Sequence, residues 1–269
     1  RNCVIRKLAF LPPRPPGYQI VDEDVWVIDQ RTLPRRLQGD LLYPQPGQME
    51  FRPLQQMVPP GFQMKTSHNF LRTSRRQQIS VITYAPPTPV CCMIFSHGNS
   101  TDLGYSAPYH MRLALTCEVT VYAYDYTGYG LSTGLVTERD TCADIRAVYE
   151  LARKSFEPHR IIVYGQSVGS GPSTDLACDP RFPVGGMILH SPIASGLRVL
   201  NPERRKTPFF DIYRNVEKFP RIKATTQVLL IHGTLDEEVP HRHSQLLKEA
   251  GHAGVTLWLA SGADHNNIE

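Results

Sequence analysis

Short runs of hydrophobic residues alternate with longer amphipathic stretches from about residue 80 to the end of the chain. Because these runs are apolar at successive positions, they are typical of strands that are buried on both faces, as in a parallel sheet covered by helices. The predicted strands cover residues 79–85, 90–95, 119–124, 161–164, 187–189, 228–231 and 255–259.

Helical periodicity occupies the gaps between several of these strands. Between Thr137 and Lys154, apolar residues recur every three to four positions behind Thr137, which is a suitable N-cap. The stretches 172–178 and 240–251 also favour helices. The alternation predicts an α/β fold of three layers, with a mostly parallel central sheet and helices on both faces. Residues 191–226 are too few for more than a small cap.

The first sixty residues have a different character. Residues 11–16 read Leu-Pro-Pro-Arg-Pro-Pro, which must be extended or turn-like because proline fixes φ and restricts the residue before it. We therefore predict an amino-terminal extension over residues 1–60, packed on or leading into one domain over residues 61–269. Since the chain begins with Arg1, we expect a processed or trimmed start.

Composition and charge exclude several classes of protein. The chain is 41% hydrophobic and 20% charged, which suits a folded domain with a core. Its net charge of +4 is too small for a dedicated nucleic-acid binder, so no nucleic-acid partner is expected. No apolar run approaches the roughly 18 residues of a membrane-spanning helix. The first 89 residues nevertheless hold twelve basic and six acidic residues.

The six cysteines show no CxxC pair and no Cys/His spacing for zinc, so neither a metal nor a cofactor is expected. Three of them lie in or beside runs that read as buried, where a free cysteine behaves as a small hydrophobe. We predict reduced thiols and a cytosolic setting. The cysteines are Cys3, Cys91, Cys92, Cys117, Cys142 and Cys178, of which Cys91, Cys92 and Cys117 are the three in question.

The motif Gly165-Gln166-Ser167-Val168-Gly169 follows an apolar strand and precedes a helix. Small residues on both sides of a serine permit the tight turn that exposes its hydroxyl at the end of a sheet. The following helix directs its positive end and free N–H groups toward a developing oxyanion. We predict Ser167 as a nucleophile; the alternative is a chance glycine-serine turn.

A serine nucleophile needs a base and an orienting carboxylate, which follow in the order acid, then histidine, in this architecture. Asp236 lies just beyond the strand at 228–231, and His265 lies beyond the last strand. The carboxyl ends of the strands share one edge, so we expect these residues to converge with Ser167. The rival carboxylates are Glu237, Glu238 and Asp264.

The remaining histidines favour structural roles. His97, His190 and His232 lie at strand ends, where hydrogen-bonded scaffold positions are expected rather than a place in the cleft. A second set is expected on the surface, and it comprises His241, His243 and His252.

The oxyanion hole needs two backbone N–H donors. We predict the N–H of Val168 and the N–H of Asn99, which lies in the polar loop after the strand at 90–95. The alternative for this loop is an ordinary strand-to-helix turn capped by Asn99 or Asp102.

These residues together resemble the α/β-hydrolase superfamily, and most closely its seventeenth subfamily of alpha/beta-hydrolase-domain proteins, acyl-protein thioesterases that depalmitoylate membrane proteins. The resemblance is dense from about residue 90 to 267, and residues 7–13 are similar to the segment after that family's cysteine-rich amino terminus. Its blocks are Ser96-His97-Gly98-Asn99 with Asp102-Leu103-Gly104, residues 124–130 with Ser132 and Gly134, Tyr164-Gly165-Gln166-Ser167, Leu189-His190-Ser191-Pro192, and Ile231-His232-Gly233-Thr234 with Asp236.

The resemblance implies a triad of Ser167, Asp236 and His265, no cofactor, and S-acylated membrane proteins as substrates. It also implies peripheral association with the cytoplasmic face of a plasma or endosomal membrane through a missing or trimmed amino-terminal segment. Only Cys3 stands where the family has its palmitoylated cysteine cluster. The basic surplus near the start would then support attachment to anionic lipid.

Two other interpretations stay open. A serine peptidase or carboxylesterase would use the same triad, because the triad does not select the acyl group. A non-catalytic, membrane-recruited binding module would keep these residues as relics. For the thioesterase, we expect an acyl-accommodating rim, with simple packing as the alternative role of the same side chains, which are Leu197, Val199, Phe209, Phe210 and Tyr213. The sequence indicates no oligomeric state.

Overall fold

A computed structural model describes residues 10–32, 49–201 and 207–268 of the chain. These residues form two compact units. The first contains the described residues up to 93 together with 99–148, and the second contains 94–98 and 149–268. Cys3, and the part of the family resemblance at residues 7–9, lie outside the described residues.

The first unit begins with a small antiparallel sheet that the sequence did not reveal. It consists of β1 (Tyr18–Val21), β2 (Asp24–Ile28) and β3 (Phe51–Pro53). The turn between β1 and β2 is only two residues long, and both have a positive φ. The expectation of an extended or turn-like segment therefore holds for the prolines but missed these strands, which have only three to five residues each.

The rest of the first unit is an antiparallel set of strands with two helices. Strands β4 (Lys65–Arg72) and β5 (Gln78–Ala85) pair with each other, β6 (Cys92–Ser96) begins here, and β7 (Thr120–Tyr124) pairs with β5. The helices are α1 (Leu103–Cys117) and α2 (Glu138–Ala152). Strand β7 is buried at every position, as its unbroken apolar run predicts.

Two further elements of this unit, besides β1 to β3, were not predicted. The side chains of β4 are exposed or half-buried throughout, so the strand has no apolar run to identify it. Helix α1 contains Pro108, which interrupts a simple helical reading of its sequence.

The second unit holds the parallel part of the fold. Strands β8 (Ile161–Gln166), β9 (Gly186–His190), β10 (Gln227–Gly233) and β11 (Val255–Ala260) pair in parallel, in the order β11-β10-β9-β8, and residues 94–96 of β6 lie next to β8. Each of the four predicted strands is present and extends one or two residues further at its carboxyl end. The predicted α/β class with a mostly parallel sheet is confirmed.

The helices of the second unit are short. They are α3 (Ser170–Ala177), α4 (Gly196–Leu200), α5 (Asn215–Lys218) and α6 (Arg242–Ala250). Between β9 and β10, the described residues hold only α4, α5 and one 3-10 turn at Phe219–Arg221. This agrees with a small cap.

Cysteines and membrane propensity complete the description. The five described cysteines are free, and Cys92, Cys142 and Cys178 are buried. Cys117 lies beside the buried run that begins at Val119, but it is exposed at the end of α1, so the expectation that it behaves as a small buried hydrophobe is wrong. Within the described ranges, every helix falls short of the length and apolarity that crossing a bilayer requires.

Candidate active site

The turn that follows β8 carries Ser167 in a conformation that few residues adopt. Ser167 has a φ of 50°, in the left-handed region, and it begins a 3-10 turn that leads directly into α3. Such strain persists only where the surroundings enforce it, and it is concentrated at functional sites. The half-buried serine therefore stands at the sharp strand-to-helix turn that the motif predicts.

Two glycines make this turn possible because no side chain would fit. A Cβ on Gly169 would lie 2.1 Å from the carbonyl oxygen of Ser96 on β6. A Cβ on Gly165 would lie 2.6 Å from the carbonyl oxygen of Gly169. The backbone of the turn is thus pressed against itself and against the end of β6.

The structure brings Ser167, His265 and Asp236 into one hydrogen-bonded chain. His265 Nε2 lies 3.2 Å from Ser167 Oγ, and His265 Nδ1 lies 2.7 Å from Asp236 Oδ2. Ser167 follows β8, Asp236 follows β10 and His265 follows β11, so parallel strands deliver all three to one edge. In this arrangement, the serine hydroxyl donates to the imidazole, and the opposite ring N–H donates to the carboxylate.

The Asp236 carboxylate is buried and receives three donors. Its Oδ1 accepts the Val239 N–H at 2.8 Å, and its Oδ2 accepts the Nδ1–H of His265. The Nε2 of a second histidine, His232, lies 3.1 Å from the same Oδ2. A buried charge is tolerated when it is paired and hydrogen-bonded in this way.

These contacts set the acidities of the pair. Burial by itself would raise the pKa of Asp236, but the hydrogen bonds from His232, His265 and Val239 outweigh it and hold the pKa well below its usual range. Burial would lower the pKa of His265, but the hydrogen bond and charge of Asp236, with smaller contributions from Glu238 and Asp264, raise it. Asp236 is therefore ionised at neutral pH and stabilises a protonated His265.

The first predicted oxyanion donor belongs to the turn itself. Val168 is the second residue of the 3-10 turn, directly after Ser167, and its side chain is buried. Gly98 approaches from β6: a Cβ there would lie 3.8 Å from the Cβ of Ser167. This places backbone rather than side chain next to the nucleophile.

Asn99 follows Gly98 in the chain and belongs to the first unit. Its side-chain oxygen accepts the N–H of Leu11 and the hydroxyl of Tyr129, both at 2.8 Å. Of the two caps considered for α1, Asp102 is the one found, accepting the N–H groups of Gly104 and Tyr105. The role of the Asn99 N–H as second donor stays a prediction.

The rival acids lie outside the chain of hydrogen bonds. Glu237, Glu238 and Asp264 are all exposed. Glu238 accepts a hydrogen bond from Asn266, and Asp264 accepts the Asn266 N–H. Neither contact touches the imidazole of His265.

The structure places the three strand-end histidines in buried hydrogen bonds. His97 Nδ1 donates to the Gly98 carbonyl at 2.7 Å, and His190 Nδ1 lies 3.0 Å from the Tyr164 hydroxyl. Burial, together with the charges of His265 and His232, lowers the pKa of His190 to about 4. His232 contacts Asp236 directly, a contact that its position in the sequence did not predict.

The surface position expected for His243 is wrong. The residue is fully buried on α6, where its Nδ1 accepts the Ala194 N–H at 2.9 Å and its Nε2 lies 3.2 Å from the Arg198 carbonyl. Burial lowers its pKa to about 4. His243 shares the buried helix face with Ser244 and Leu247, whereas His241 and His252 are half-buried.

The five side chains expected at an acyl rim are divided. Tyr213 is fully buried and packs over Gly171 of α3, so it serves packing. Leu197 and Val199 are half-buried. Phe209 and Phe210 are 86% and 54% exposed, with ring centroids 5.4 Å apart. Of these five side chains, only the two phenylalanines are exposed.

Sequence reasoning missed Ser170, the residue that fastens the turn. Its hydroxyl donates to the Ser167 carbonyl at 2.6 Å and accepts the Ile193 N–H at 3.1 Å. Ser170 stands directly after the glycine of the motif, but a serine in that place carries no signal by itself. Its contact with Ile193 depends on the path of the chain after β9.

Comparison with known proteins gives the family. Residues 87–207 match the family model Hydrolase_4, described as serine aminopeptidase, S33. The chain is 38% identical to human alpha/beta hydrolase domain-containing protein 17B over 201 residues, 74% of this chain and 68% of the relative. It is 35% identical to the Xenopus tropicalis 17B protein over 270 residues, 99% of this chain and 86% of the relative.

Among solved structures, the fold is similar to that of the Pyrococcus furiosus esterase Pf2001. The TM-score is 0.61 at 19% identity, with 76% of this chain and 85% of the esterase covered. At this identity, the likeness bears on the fold alone.

Proposed function

The chain belongs to the alpha/beta hydrolase domain-containing protein 17 family, and from that premise we propose that it is a serine hydrolase that removes long-chain S-acyl groups from protein cysteines. Family membership assigns the chain to the hydrolases. The observation that carries the serine mechanism is His265, held between Ser167 and Asp236 at hydrogen-bonding distances. The thioester substrate is supported by the resemblance of the sequence motifs to acyl-protein thioesterases.

Acylation begins when the Ser167 hydroxyl transfers its proton to His265 Nε2 and its oxygen attacks the thioester carbonyl. Asp236 accepts the Nδ1–H of His265, which fixes the tautomer and stabilises the imidazolium that forms. The N–H groups of Val168 and Asn99 are proposed to bind the oxyanion of the tetrahedral intermediate.

Collapse of the intermediate breaks the carbon–sulfur bond and leaves an acyl-serine. The departing group is a cysteine thiolate, and a thiol with a pKa near 8.5 needs little help from an acid to leave. The proton on His265 is then available to the thiolate. This step is less demanding than expulsion of a peptide amine.

Deacylation repeats the sequence with water as the nucleophile. His265 takes a proton from water, hydroxide attacks the acyl-serine, and the serine oxygen leaves with the proton that His265 returns. The products are a free fatty acid and regenerated Ser167.

A peptidase is the second candidate, because the matching family model is described as a serine aminopeptidase. Both activities use the same nucleophile, so they differ in the acyl group and the leaving group rather than in the triad. The third alternative, a non-catalytic binding module, predicts a folded protein with an unreactive Ser167.

Three assays on one preparation separate these functions. Fluorophosphonate labelling reports the reactivity of Ser167, while an S-palmitoylated peptide and a peptide amide report the two activities. We expect labelling and thioester hydrolysis in the wild type, and loss of both by orders of magnitude in Ser167→Ala. Equal thioester turnover in the two proteins would overturn the proposal; labelling with amide cleavage alone would favour the peptidase.

We also propose peripheral association with the cytoplasmic face of membranes. It is supported by the basic surplus of the first 89 residues, since each basic residue near an anionic surface contributes about 1 kcal/mol. Co-sedimentation with phosphatidylserine vesicles should fall as salt is raised. Binding to neutral vesicles of equal strength would contradict this electrostatic term.

A further inference from the structure

His232 is a buried histidine at the end of β10 with both ring nitrogens engaged. Its Nδ1 lies 2.7 Å from the Ser244 hydroxyl on α6, and its Nε2 lies 2.6 Å from the Val239 carbonyl. A carbonyl oxygen only accepts, so in the neutral ring Nε2 carries the proton and the Ser244 hydroxyl donates to Nδ1. This fixes both the tautomer and the orientation of the ring.

His232 Nε2 also lies close to the acid of the triad. It lies 3.1 Å from Asp236 Oδ2, the same oxygen that accepts the Nδ1–H of His265 at 2.7 Å. Val239 closes the arrangement, since its carbonyl faces His232 and its N–H donates to Asp236 Oδ1. The carboxylate therefore cannot rotate without losing a bond to His232 or to Val239.

We infer that His232 is a positioning residue, which holds the Oδ2 atom of Asp236 toward His265. The inference rests on the proposed function, in which Asp236 orients the imidazole of a serine hydrolase. His232 touches neither Ser167 nor the proposed substrate atoms, so it acts through Asp236 alone.

The arrangement has a consequence for the acidity of His265. Burial lowers the pKa of His265, but the hydrogen bond and charge of Asp236 raise it, with smaller contributions from Glu238 and Asp264. His190 on β9 lies within reach of its charge. Without His232, Oδ2 is no longer held toward the imidazole, so loss of His232 should lower the pKa of His265.

Two variants separate the donor from the rest of the side chain. In His232→Asn, the shorter amide replaces Nδ1 and faces Ser244 but does not reach Asp236. In His232→Gln, the amide nitrogen takes the position of Nε2 and still donates to Asp236. His252→Asn is the matched control, because asparagine can accept the Gly254 N–H as His252 Nδ1 does at 3.0 Å.

The readout is the rate of fluorophosphonate labelling of Ser167 as a function of pH, measured on the full chain. We expect His232→Asn to label about tenfold more slowly at neutral pH, which is what one charged hydrogen bond is worth. Its acidic limb should shift to lower pH, because the pKa of His265 falls when Oδ2 is no longer held toward it. His232→Gln should recover most of the rate, and His252→Asn should match the wild type.

A wild-type rate and limb in His232→Asn would overturn the inference while leaving the proposed function intact. A slow His232→Asn with an unshifted limb and no rescue by glutamine would also overturn it, since that pattern marks a purely structural role. If His232→Asn does not fold, Ser244→Ala decides: a smaller shift in the same direction supports the inference, and no shift refutes it. A folded wild type that does not label overturns the proposed function and this inference together.

Discussion

Asp236 in the second unit and Asp102 in the first are both buried carboxylates, but their acidities move in opposite directions. Burial raises the pKa of Asp102 to about 7, and the nearby charge of Asp125 raises it too, against backbone donors from Gly17, Gly104 and Tyr105. Burial also acts to raise the pKa of Asp236, but two histidines and one backbone N–H overcome it.

Asp102 is the more deeply buried of the two, and the partners of the two carboxylates also differ in kind. Three backbone N–H groups beside a second carboxylate do not keep Asp102 fully ionised at neutral pH. Imidazole donors do so for Asp236, and one of them, His265, gains a stabilised positive charge in return. A carboxylate that stays ionised can orient a base. Asp102 instead caps α1 and accepts the N–H of Gly17.

Among the substitutions that test this difference between the two acids, Asp236→Asn should have the largest effect. The substitution keeps the shape of the side chain but removes its charge, so His265 loses both its tautomer preference and the stabilisation of its protonated form. We expect turnover of an S-palmitoylated peptide to fall about ten-thousand-fold. Glu237→Gln, at an exposed neighbouring position, is the control and should retain activity. Equal losses in both variants would contradict the assignment of the acid.

Asp102→Asn tests the other acid, and its effect should be smaller. Asparagine keeps an acceptor that caps α1 but has no titrating proton. The pKa of Asp102 is higher in the folded chain than its ordinary value of 3.8, so the folded state holds the proton more tightly. The wild type should therefore lose stability as pH rises from about 4 to about 7, by up to about 4 kcal/mol from this group.

Thermal unfolding of both proteins at several pH values measures this pH-dependent contribution of Asp102 to stability. The melting temperature of Asp102→Asn relative to wild type should rise between about pH 4 and pH 7. Asp144, whose pKa burial also raises to about 7, is present in both proteins and drops out of the difference. Parallel curves for the two proteins would show that Asp102 carries no such proton.

The smallest of these effects concerns Tyr18→Phe. The Tyr18 hydroxyl donates to Asp125 Oδ2 at 2.6 Å and accepts the Leu131 N–H at 3.1 Å. Burial, followed by the charge of Asp125, raises the pKa of Tyr18 well above its usual range, so the hydroxyl keeps its proton. Removing it leaves two buried partners short of a bond, at a cost of about 1–3 kcal/mol in the free energy of unfolding. Urea denaturation that gives no loss would contradict this.

The comparison also explains what the sequence could predict. Ser167, Asp236 and His265 could be found because each follows an apolar run that reads as a strand, and the parallel order then determines where they meet. The strands β5 to β11 could be found for the same reason. Hydrophobic runs and chain order are properties of the sequence itself.

The contacts that tune the acids could not be found in this way. Tyr18 lies 107 positions from Asp125, and its strand has only four residues, two of them exposed. His232 stands four positions before Asp236, but only the turn after β10 brings its Nε2 back onto the carboxylate. His243 carries a polar side chain into a buried helix face because two backbone groups happen to meet its ring.

The measurement that tests the central claim most directly is mass spectrometry of the enzyme, quenched during turnover of an S-palmitoylated peptide. Because a thiolate leaves readily, we expect deacylation to be the slower step and an acyl-enzyme to accumulate. In the wild type, we expect a palmitoyl adduct on the peptide that contains Ser167. In Ser167→Ala, we expect no adduct on that peptide. Turnover with no adduct at Ser167, or with the adduct on another residue, would contradict it.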